Sequence, residues 1–301
     1  MRFRMKIRKI LFVCLSLAAL IGVARFCHHA THGFRLSKIR SNLIEQEAIL
    51  PVAQDDKEFL THLFQQKFHF LGRGLQSFVF ESDDGKYVLK LFNNRYQTNI
   101  QLYSLLSHLP FLGSLASAKA DYFSGKLLKT FKSYEIAFEE MQDKTGLLYI
   151  HLKPTQDLPQ TLTIVDPLRI SHTINPNQTG FLIQKKAILI YPALKDYVSR
   201  SDISAAKTAL SSLVDLFFWK WDQGIADNDP LIRTNYGIID GKAIQIDVGP
   251  LSKETVLLSK DQKTQQIRKI TASLKFWLNE NAPELAPYLD QELLQRLSSM
   301  E

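Results

Sequence analysis

The sequence predicts an α+β fold with an antiparallel β-rich N-terminal part, a mainly helical C-terminal part and a hydrophobic segment in front of both. Three observations lead to this prediction. Short runs of β-branched and aromatic residues, separated by glycine turns, fill residues 70–92 and recur over 160–188. Apolar residues at helical spacing fill residues 203–221 and return in two later segments. An apolar stretch of 15 residues covers Ile10 to Ala24.

The composition sets the size of the fold. With 301 residues, of which 45% are hydrophobic, the chain can bury a large core in one two-lobed domain or in two small ones. We expect a signal peptide or membrane anchor over residues 1–28, a linker over 29–55, a β-rich part over 56–190 and a helical part over 191–301.

The net charge argues against one class of partner. The formal charge is +7, but five of the positive charges lie in residues 1–24, which contain no acid, so the rest of the chain carries +2. A body so close to neutrality has no general electrostatic attraction for nucleic acid. We therefore expect no nucleic-acid partner.

The N-terminus has the pattern of a targeting segment. A basic run precedes the 15-residue apolar stretch from Ile10 to Ala24, and Arg25 follows it. This length suits the core of a signal peptide better than a full membrane span. We expect a membrane protein held by a single N-terminal anchor, or a protein exported or secreted after cleavage near Ala24. Basic residues on both sides leave the orientation open.

The segment also holds both cysteines, Cys14 and Cys27, so the body beyond it has no disulfide framework. His28, His29 and His32 cluster directly after the apolar run, and we expect them to be solvated rather than to bind a metal.

Residues 70–92 predict a strand, a glycine turn, a second strand, an Asp-Asp-Gly turn and a third strand. The first turn has the pattern Gly72-x-Gly74-x-x-Ser77, and Lys90 lies in the third strand. Glycines allow backbone amides to approach phosphate oxygens closely. Taken alone, a Gly-x-Gly-x-x-Ser pattern is weak evidence, and a lysine at the end of a strand is usually solvated.

The middle of the chain gives weaker signals. Residues 97–132 favour helix and contain one acid, Asp121. The alternation of Tyr134, Ile136 and Phe138, followed by a turn and the apolar residues 147–152, predicts a hairpin. A second strand pair is predicted over 160–188, around a turn at residues 175–178.

The C-terminal part contains the most informative stretch, Gly224 to Pro250. A buried helix over 203–221 leads into a loop that carries Asp227, Asp229 and Asn235. Two strands, 236–240 and 243–246, follow around Asp240-Gly241, and the second ends at Asp247. Two amphipathic helices, 261–279 and 287–299, complete the chain.

This strand-turn-strand stretch predicts a metal site. An Asp-Gly turn is a strong hairpin signal, and the hairpin brings the loop before its first strand to the end of its second. Mg²⁺ takes a few hard oxygen ligands and leaves the rest of its shell to water and phosphates, which suits Asn235 and Asp247. The alternative is an acidic loop whose Asp and Asn side chains merely cap turns.

These motifs together resemble the protein-kinase-like superfamily. The glycine pattern of Gly72, Gly74 and Ser77, with Lys90, resembles protein kinases, whereas Gly-Ile-Ala-Asp227 and Ile-Asp247-Val-Gly are most similar to the phosphoinositide-kinase-like branch. The resemblance covers residues 65–280 and implies a bilobal fold. It implies Mg-ATP bound by Gly72, Gly74, Ser77 and Lys90, with Asn235 and Asp247 as metal ligands.

The resemblance also implies a catalytic aspartate, for which the sequence offers two candidates. The family places this residue five positions before the asparagine, where this chain has Pro230, while Asp229 and Asp227 lie six and eight positions before it. The position of Asp227 in Gly-Ile-Ala-Asp favours that residue. A family glutamate that pairs with the lysine is not evident, and Glu139 is the candidate if it reaches Lys90 from a strand.

Two functions follow as expectations. The first is a phosphotransferase that uses Mg-ATP and an unknown acceptor. The second is a catalytically inactive kinase-like module, a pseudokinase, that binds a protein partner at a membrane.

Overall fold

The computed structural model describes residues 2–40 and 52–300. The chain folds into two compact units. Unit 1 comprises Met1–Asp84, Leu89–Arg95 and Lys153–Phe181, and unit 2 comprises Gly85–Val88, Tyr96–Leu152 and Leu182–Glu301.

The structure is a mixture of strands and helices, as the sequence predicts. The strands are β1 (Lys67–Arg73), β2 (Ser77–Ser82), β3 (Tyr87–Phe92), β4 (Leu147–His151), β5 (Leu162–Val165), β6 (Ser171–Ile174), β7 (Phe181–Lys185), β8 (Ile188–Leu189), β9 (Ile225–Asp227), β10 (Tyr236–Ile239), β11 (Lys242–Gln245) and β12 (Leu251–Lys253). The helices are α1 (Arg2–Ala30), α2 (Gln54–Leu63), α3 (Arg95–Leu106), α4 (Gly113–Glu140), α5 (Gln142–Thr145), α6 (Ile190–Ser199), α7 (Ile203–Asp222), α8 (Ile232–Asn235), α9 (Lys260–Asn281) and α10 (Ala286–Ser298).

The N-terminal apolar run lies within α1. Several of its side chains are exposed, Leu15, Leu20 and Val23 among them. Among the described residues, no helix combines the length and the apolar character that crossing a bilayer requires. The anchor and the signal peptide therefore both stay predictions. His28, His29 and His32 are exposed, and the described residues contain no cluster of His, Cys, Asp or Glu suited to a metal.

Unit 1 is built on five neighbouring strands of a seven-stranded sheet, in the order β3-β2-β1-β5-β6. The predicted strands and turns of residues 70–92 are confirmed, and β1 pairs with β2 in antiparallel fashion. The sheet is not wholly antiparallel, because β5 pairs with β1 in parallel register, with Phe68 opposite Ile164. A crossover of this kind joins residues far apart in the chain, which local sequence patterns do not encode.

For the strand pair predicted over residues 160–188, the predicted position of the turn is wrong. The antiparallel partner of β5 is β6, and the hairpin closes at Asp166 rather than at residues 175–178. The Asp166 carboxylate accepts hydrogen bonds from the backbone amides of Leu168 and Ile170, at 2.8 and 3.0 Å, and from His172. These bonds fix a tight turn in which Arg169 takes a positive φ of 64°.

Aromatic side chains form the core of unit 1. Phe68, Phe78 and Phe80 are completely buried. The Phe34 ring meets those of Phe78 and Phe80 edge-on, with centroids 5.2 and 5.6 Å apart. Phe34 lies in the stretch predicted as a linker, so that part of the chain contributes to the core.

In unit 2, the hairpin predicted over residues 134–152 is wrong in its first half. Residues 113–140 form one long helix, α4, so Glu139 is not on a strand. The buried positions Thr130, Ser133, Tyr134 and Ala137 follow the three- and four-residue spacing of a helix. Three of them are small or polar and give no apolar pattern in the sequence. The alternation of larger residues was therefore the stronger signal, and it predicted a strand.

The core of unit 2 surrounds α7, whose buried face is apolar, as predicted. Helices α6, α9 and α10 pack around it, and α9 and α10 confirm the two predicted C-terminal helices. The predicted hairpin is also confirmed, since β10 pairs with β11 from Tyr236 opposite Gln245 to Ile239 opposite Lys242. Asp240 and Gly241 form its turn, both with positive φ.

Candidate functional site

The candidate site of unit 2 is a loop held between α7 and the β10–β11 hairpin. Strand β9 leaves the end of α7 and pairs with β12, which places Asp227 opposite Leu251. Helix α8 then leads from this loop into β10. The loop that carries the predicted acidic residues is therefore held by strand pairing at both of its ends.

A buried lysine holds the loop from beneath. Lys220 is 1% exposed, and its Nζ donates hydrogen bonds to Asp227 Oδ2 at 3.0 Å, Tyr236 Oη at 2.7 Å and Gln245 Oε1 at 2.8 Å. Tyr236 Oη and Gln245 Nε2 both donate to the same Asp227 oxygen. Four side chains from α7, β9, β10 and β11 thus form one closed network.

Burial determines the charges in this network. Burial lowers the pKa of Lys220, and the charge and hydrogen bond of Asp227 oppose that effect without cancelling it. Burial, followed by the Asp227 carboxylate, raises the pKa of Tyr236 well above its ordinary value. Tyr236 therefore keeps its proton near neutral pH and serves as a donor to Asp227.

The carboxylate of Asp227 has its acceptor positions filled. Oδ2 accepts from Lys220, Tyr236 and Gln245, while Oδ1 accepts from the backbone amide of Asp229 at 3.0 Å. An ionised carboxylate offers about four acceptor positions. The side chain is 5% exposed, so Asp227 is placed to anchor the loop rather than to meet a solvent-borne group.

Asp229 and Asn235 lie together at the surface end of the loop. The buried Asn235 donates from Nδ2 to the backbone oxygen of Asp229 at 2.7 Å and to its Oδ2 at 3.4 Å. Asp229 itself is exposed. The asparagine therefore fixes the direction of an accessible carboxylate.

The hairpin brings Asp247 to the same place. The backbone oxygen of Asn235 accepts from the amides of Ile246 at 2.8 Å and Asp247 at 3.4 Å. Asp247 is exposed, and its Oδ1 accepts from Gly249 N at 3.1 Å in a tight turn. Asp229, Asn235 and Asp247 are thus brought together.

Helix α4 braces the chain just after Asp247. Ser133 Oγ donates to the backbone oxygen of Val248 and accepts from the amide of Leu251 at 2.7 Å. Burial and then the charge of Asp247 raise the pKa of Tyr134, the next residue on α4. The position of Asp247 is therefore fixed by contacts on two sides.

The donor set fits Mg²⁺. Two exposed carboxylates and an amide side chain supply hard oxygens, and Mg²⁺ is usually bound by one or two carboxylates together with substrate phosphates. The cluster does not contain the three carboxylate or imidazole groups of an all-protein metal cage, and the described residues hold no such cage elsewhere.

The glycine-rich turn lies in unit 1, between β1 and β2. Gly74 N donates to Ser77 O at 2.9 Å and closes the turn. A Cβ added at Gly72 would meet no atom within 4 Å, and one at Gly74 would first meet Ser77 O at 3.7 Å. Packing therefore does not require glycine at either position. The space beside the backbone of both residues is open. Lys90 is half-buried on β3.

Sequence reasoning missed Lys220, Tyr236 and Gln245. A signal was present for two of them. Lys220 interrupts the apolar sequence at the end of α7, and Gln245 lies between Ile244 and Ile246 in a buried strand. A polar residue inside an apolar pattern indicates a buried hydrogen-bond network, because such groups must be paired.

Comparisons with known proteins give weak matches. No protein-family model matches the sequence, and no curated protein matches it. The chain is similar to Rv3197 from Mycobacterium tuberculosis, solved in complex with erythromycin, with 11% identity and a TM-score of 0.35 over 80% of this chain and 60% of that one.

The chain is also similar to WbdD, solved with the kinase inhibitor LY294002, with 14% identity and a TM-score of 0.35 over 74% of this chain and 45% of that one. WbdD is described as a bifunctional kinase-methyltransferase. The chain matches less than two thirds of the length of Rv3197 and of WbdD. TM-scores below 0.5 do not identify an activity for this chain.

Proposed function

We propose that this chain is a kinase-like phosphotransferase that uses Mg-ATP and transfers a phosphoryl group to an unidentified acceptor. One observation carries the proposal. The β10–β11 hairpin holds Asn235 beside Asp247 through backbone hydrogen bonds, while the Asn235 side chain holds Asp229. Side-chain oxygens and an accessible carboxylate are therefore close together, in the order along the chain that the kinase-like resemblance implies, and this supports the proposal.

Asp247 and Asn235 are the proposed metal ligands. Asp247 is exposed and restrained by Gly249, so its carboxylate can bind a cation without losing a structural partner. When bound, Mg²⁺ would neutralise charge on the phosphates during transfer. The protein's own contribution is to hold these oxygens in fixed positions, since catalysis of this kind is mostly positioning.

Asp229 is the residue that we propose to orient the acceptor hydroxyl. Its carboxylate is accessible, and Asn235 directs it. Asp227, the other candidate, already accepts from four donors and would have to give up one of them to accept a proton. We therefore assign Asp227 to positioning, as the buried anchor of the loop.

In unit 1, the proposed phosphate contacts are the open glycine turn and Lys90. Gly72 and Gly74 leave their backbone accessible, and Ser77 begins the next strand. Backbone amides in such turns can approach phosphate oxygens, and a lysine supplies positive charge.

A catalytically inactive kinase-like module, acting as a scaffold for a protein partner at a membrane, is the second candidate. The spacing of six residues between Asp229 and Asn235 favours it, together with the full hydrogen bonding of Asp227. Such a module would bind nucleotide without transferring phosphate.

Magnesium-dependent ATP binding tests the common part of both candidates. We expect the melting temperature of the full chain to rise with ATP plus Mg²⁺, and less in Asp247→Asn and Lys90→Ala. A ligand at about 100 times its Kd stabilises the folded state by about 2.7 kcal/mol. Asp240→Asn and Lys67→Ala are matched controls, because both side chains are exposed and lie outside the proposed contacts. An equal rise in all five proteins would place the nucleotide elsewhere.

We also propose that residues 1–28 direct the chain to a membrane, as a single-pass anchor or as a signal for export. The basic run followed by the apolar run supports this. A reporter protein fused to residues 1–28 should reach a membrane or cross it. A fusion found entirely in the cytosol would contradict the proposal.

A further inference from the structure

The helical hairpin formed by α3 and α4 in unit 2 presents an apolar tip. Helix α3 has no buried residue, and α4 begins to bury side chains only at Ala116. Between Tyr103 and Ala116 most large apolar side chains are exposed. They are Leu105, Leu109, Phe111, Leu112 and Leu115. Exposed large apolar side chains that are grouped in this way indicate an interaction site.

Phe111 at the tip is both exposed and strained. Its side chain is 104% exposed, and its backbone has a φ of 72°. A bulky residue with positive φ is a genuine outlier, and such strain concentrates at functional positions. The strain holds an aromatic ring in solvent, where it stabilises nothing within the chain.

The hairpin is held together behind its tip. Phe123 on α4 stacks on Tyr103 of α3, with ring centroids 5.7 Å apart and planes 15° apart, and it also contacts Tyr96 at 6.3 Å. These contacts fix the two helices against each other. They leave the turn between the helices projecting with its leucines and phenylalanine uncovered.

Positive charge follows directly behind the apolar tip. Residues 97–132 contain four lysines and one acid, Asp121. Lys119 and Lys126 both lie over the ring of Tyr122, with Nζ 5.8 and 5.0 Å from its centroid. The order along the hairpin is therefore apolar, then aromatic and cationic.

This order and its spacing match a membrane interface. At 1.5 Å per residue, Lys119 lies about 9 Å along α4 from its first residue, and Tyr122 about 14 Å. Apolar faces of interfacial segments penetrate about 5–10 Å, with lysine and tyrosine at the headgroups. Lysines near an anionic surface strengthen binding by electrostatic attraction.

We propose that residues 105–115 insert into the surface of a bilayer that contains anionic lipids, with Lys119 and Lys126 contacting the headgroups. A groove for a partner helix would show an apolar stripe along the length of α3 or α4. Of the exposed large apolar side chains of α3, α4 and the turn between them, three lie outside residues 105–115, namely Leu102, Tyr122 and Leu128, and the other five lie at the turn, which favours a lipid surface. This contact is independent of the proposed phosphotransfer and of the N-terminal segment.

A fluorophore at the tip tests the inference in the full chain. Cys14 and Cys27 are free and exposed, so both can be changed to serine. Phe111→Cys then carries an environment-sensitive fluorophore, and Phe276→Cys on α9, which is 66% exposed in the native chain, is the matched control. Both are titrated with vesicles of phosphatidylcholine alone and of phosphatidylcholine mixed with phosphatidylserine.

We expect the label at position 111 to shift to the blue on phosphatidylserine vesicles and to be quenched by a lipid-borne quencher, while the label at 276 stays unchanged. Lys119→Glu with Lys126→Glu should raise the lipid needed for this response about tenfold or more. Lys195→Glu with Lys269→Glu, an equal charge change on exposed lysines, should not.

Two results would overturn the inference. In the first, the chain binds the vesicles while the label at 111 remains in water, so that the N-terminal segment alone makes the contact. In the second, the label responds without vesicles as protein concentration rises, so that the tip covers a second copy of the chain.

Discussion

Lys220 is the side chain on which the acidic loop of unit 2 depends. It lies in the apolar core, yet its three hydrogen bonds end on residues from three separate strands. A buried cation is retained at a cost in desolvation unless it is paired and fully hydrogen-bonded. Here the pairing fixes Asp227, and through Asp227 the backbone of Asp229.

Replacing Lys220 by methionine should lower the free energy of unfolding by about 3–5 kcal/mol, because the Asp227 carboxylate is then buried without its cation. Denaturant unfolding measures the change. Lys195→Met, on the exposed face of α6, is the control and should leave stability nearly unchanged. The double variant Lys220→Met with Asp227→Asn should recover part of the loss. If the double variant is no more stable than Lys220→Met alone, the unpaired Asp227 carboxylate is not the cause of the loss.

The two loop aspartates should behave differently. Asp229→Asn should lower the transfer rate by about 10²–10⁴-fold with little change in ATP affinity, since it removes only the group that orients the acceptor. Asp227→Asn should instead lower stability, because its four hydrogen bonds hold the loop. Rates, ATP affinities and melting temperatures are measured side by side. Full activity in Asp229→Asn together with a stable but inactive Asp227→Asn would reverse the assignment.

The sequence indicates which residues lie at the site better than it indicates the role of each one. Asp229, Asn235 and Asp247 could be predicted to lie together, because a two-residue turn fixes which ends of the hairpin meet. The burial of Asp227 was not predicted. Its partners Lys220 and Gln245 lie only 7 and 18 residues away, but its burial depends on how α7 and β11 pack against β9, which local patterns do not encode.

At the scale of elements, β10 is the strand that fixes the site. It pairs with β11 on one side and with β8 on the other. Glycine is required at position 237, where β10 pairs with β8, because a Cβ there would lie 2.7 Å from Ala187 Cβ and 2.9 Å from the Ile188 oxygen. The close approach of β8 thus depends on a residue without a side chain.

Gly237→Ala should therefore lower the free energy of unfolding by about 1–3 kcal/mol through overpacking. Gly125→Ala is the matched control, since an added Cβ there meets nothing within 4 Å and alanine favours the interior of α4. That control should be stabilised by about 0.5–1 kcal/mol. Chemical denaturation measures the free energy of unfolding of both variants. If Gly237→Ala is as stable as Gly125→Ala, β8 and β10 can move apart without loss of stability.

Elements were predictable where large side chains carried the pattern. The apolar stripe of α7 and the hairpin at Asp240-Gly241 are examples. Prediction failed in the last part of α4. There Thr130, Ser133, Tyr134 and Ala137 form the buried helical face, and the alternation of Tyr134, Ile136 and Phe138 is a coincidence. It failed again at Asp166, where a side-chain-capped turn replaced the turn expected at residues 175–178.

For the molecule as a whole, the candidate residues divide between the two units. Gly72, Gly74, Ser77 and Lys90 belong to unit 1, whereas Asp227, Asp229, Asn235 and Asp247 belong to unit 2. The order of these motifs along the chain could be predicted. The return of residues 153–181 to the sheet of unit 1 could not, because it depends on the long-range parallel pairing of β5 with β1.

The most direct test of the proposed phosphotransfer is to measure transfer of the γ-phosphate from labelled ATP by the full chain, with and without Mg²⁺. We predict Mg²⁺-dependent release of ADP with labelled protein or acceptor, abolished in Asp247→Asn and retained in Asp240→Asn, which keeps the hairpin turn favourable. Transfer that persists in Asp247→Asn, or a wild-type chain that binds Mg-ATP but never releases ADP, would contradict the claim that this loop performs phosphotransfer.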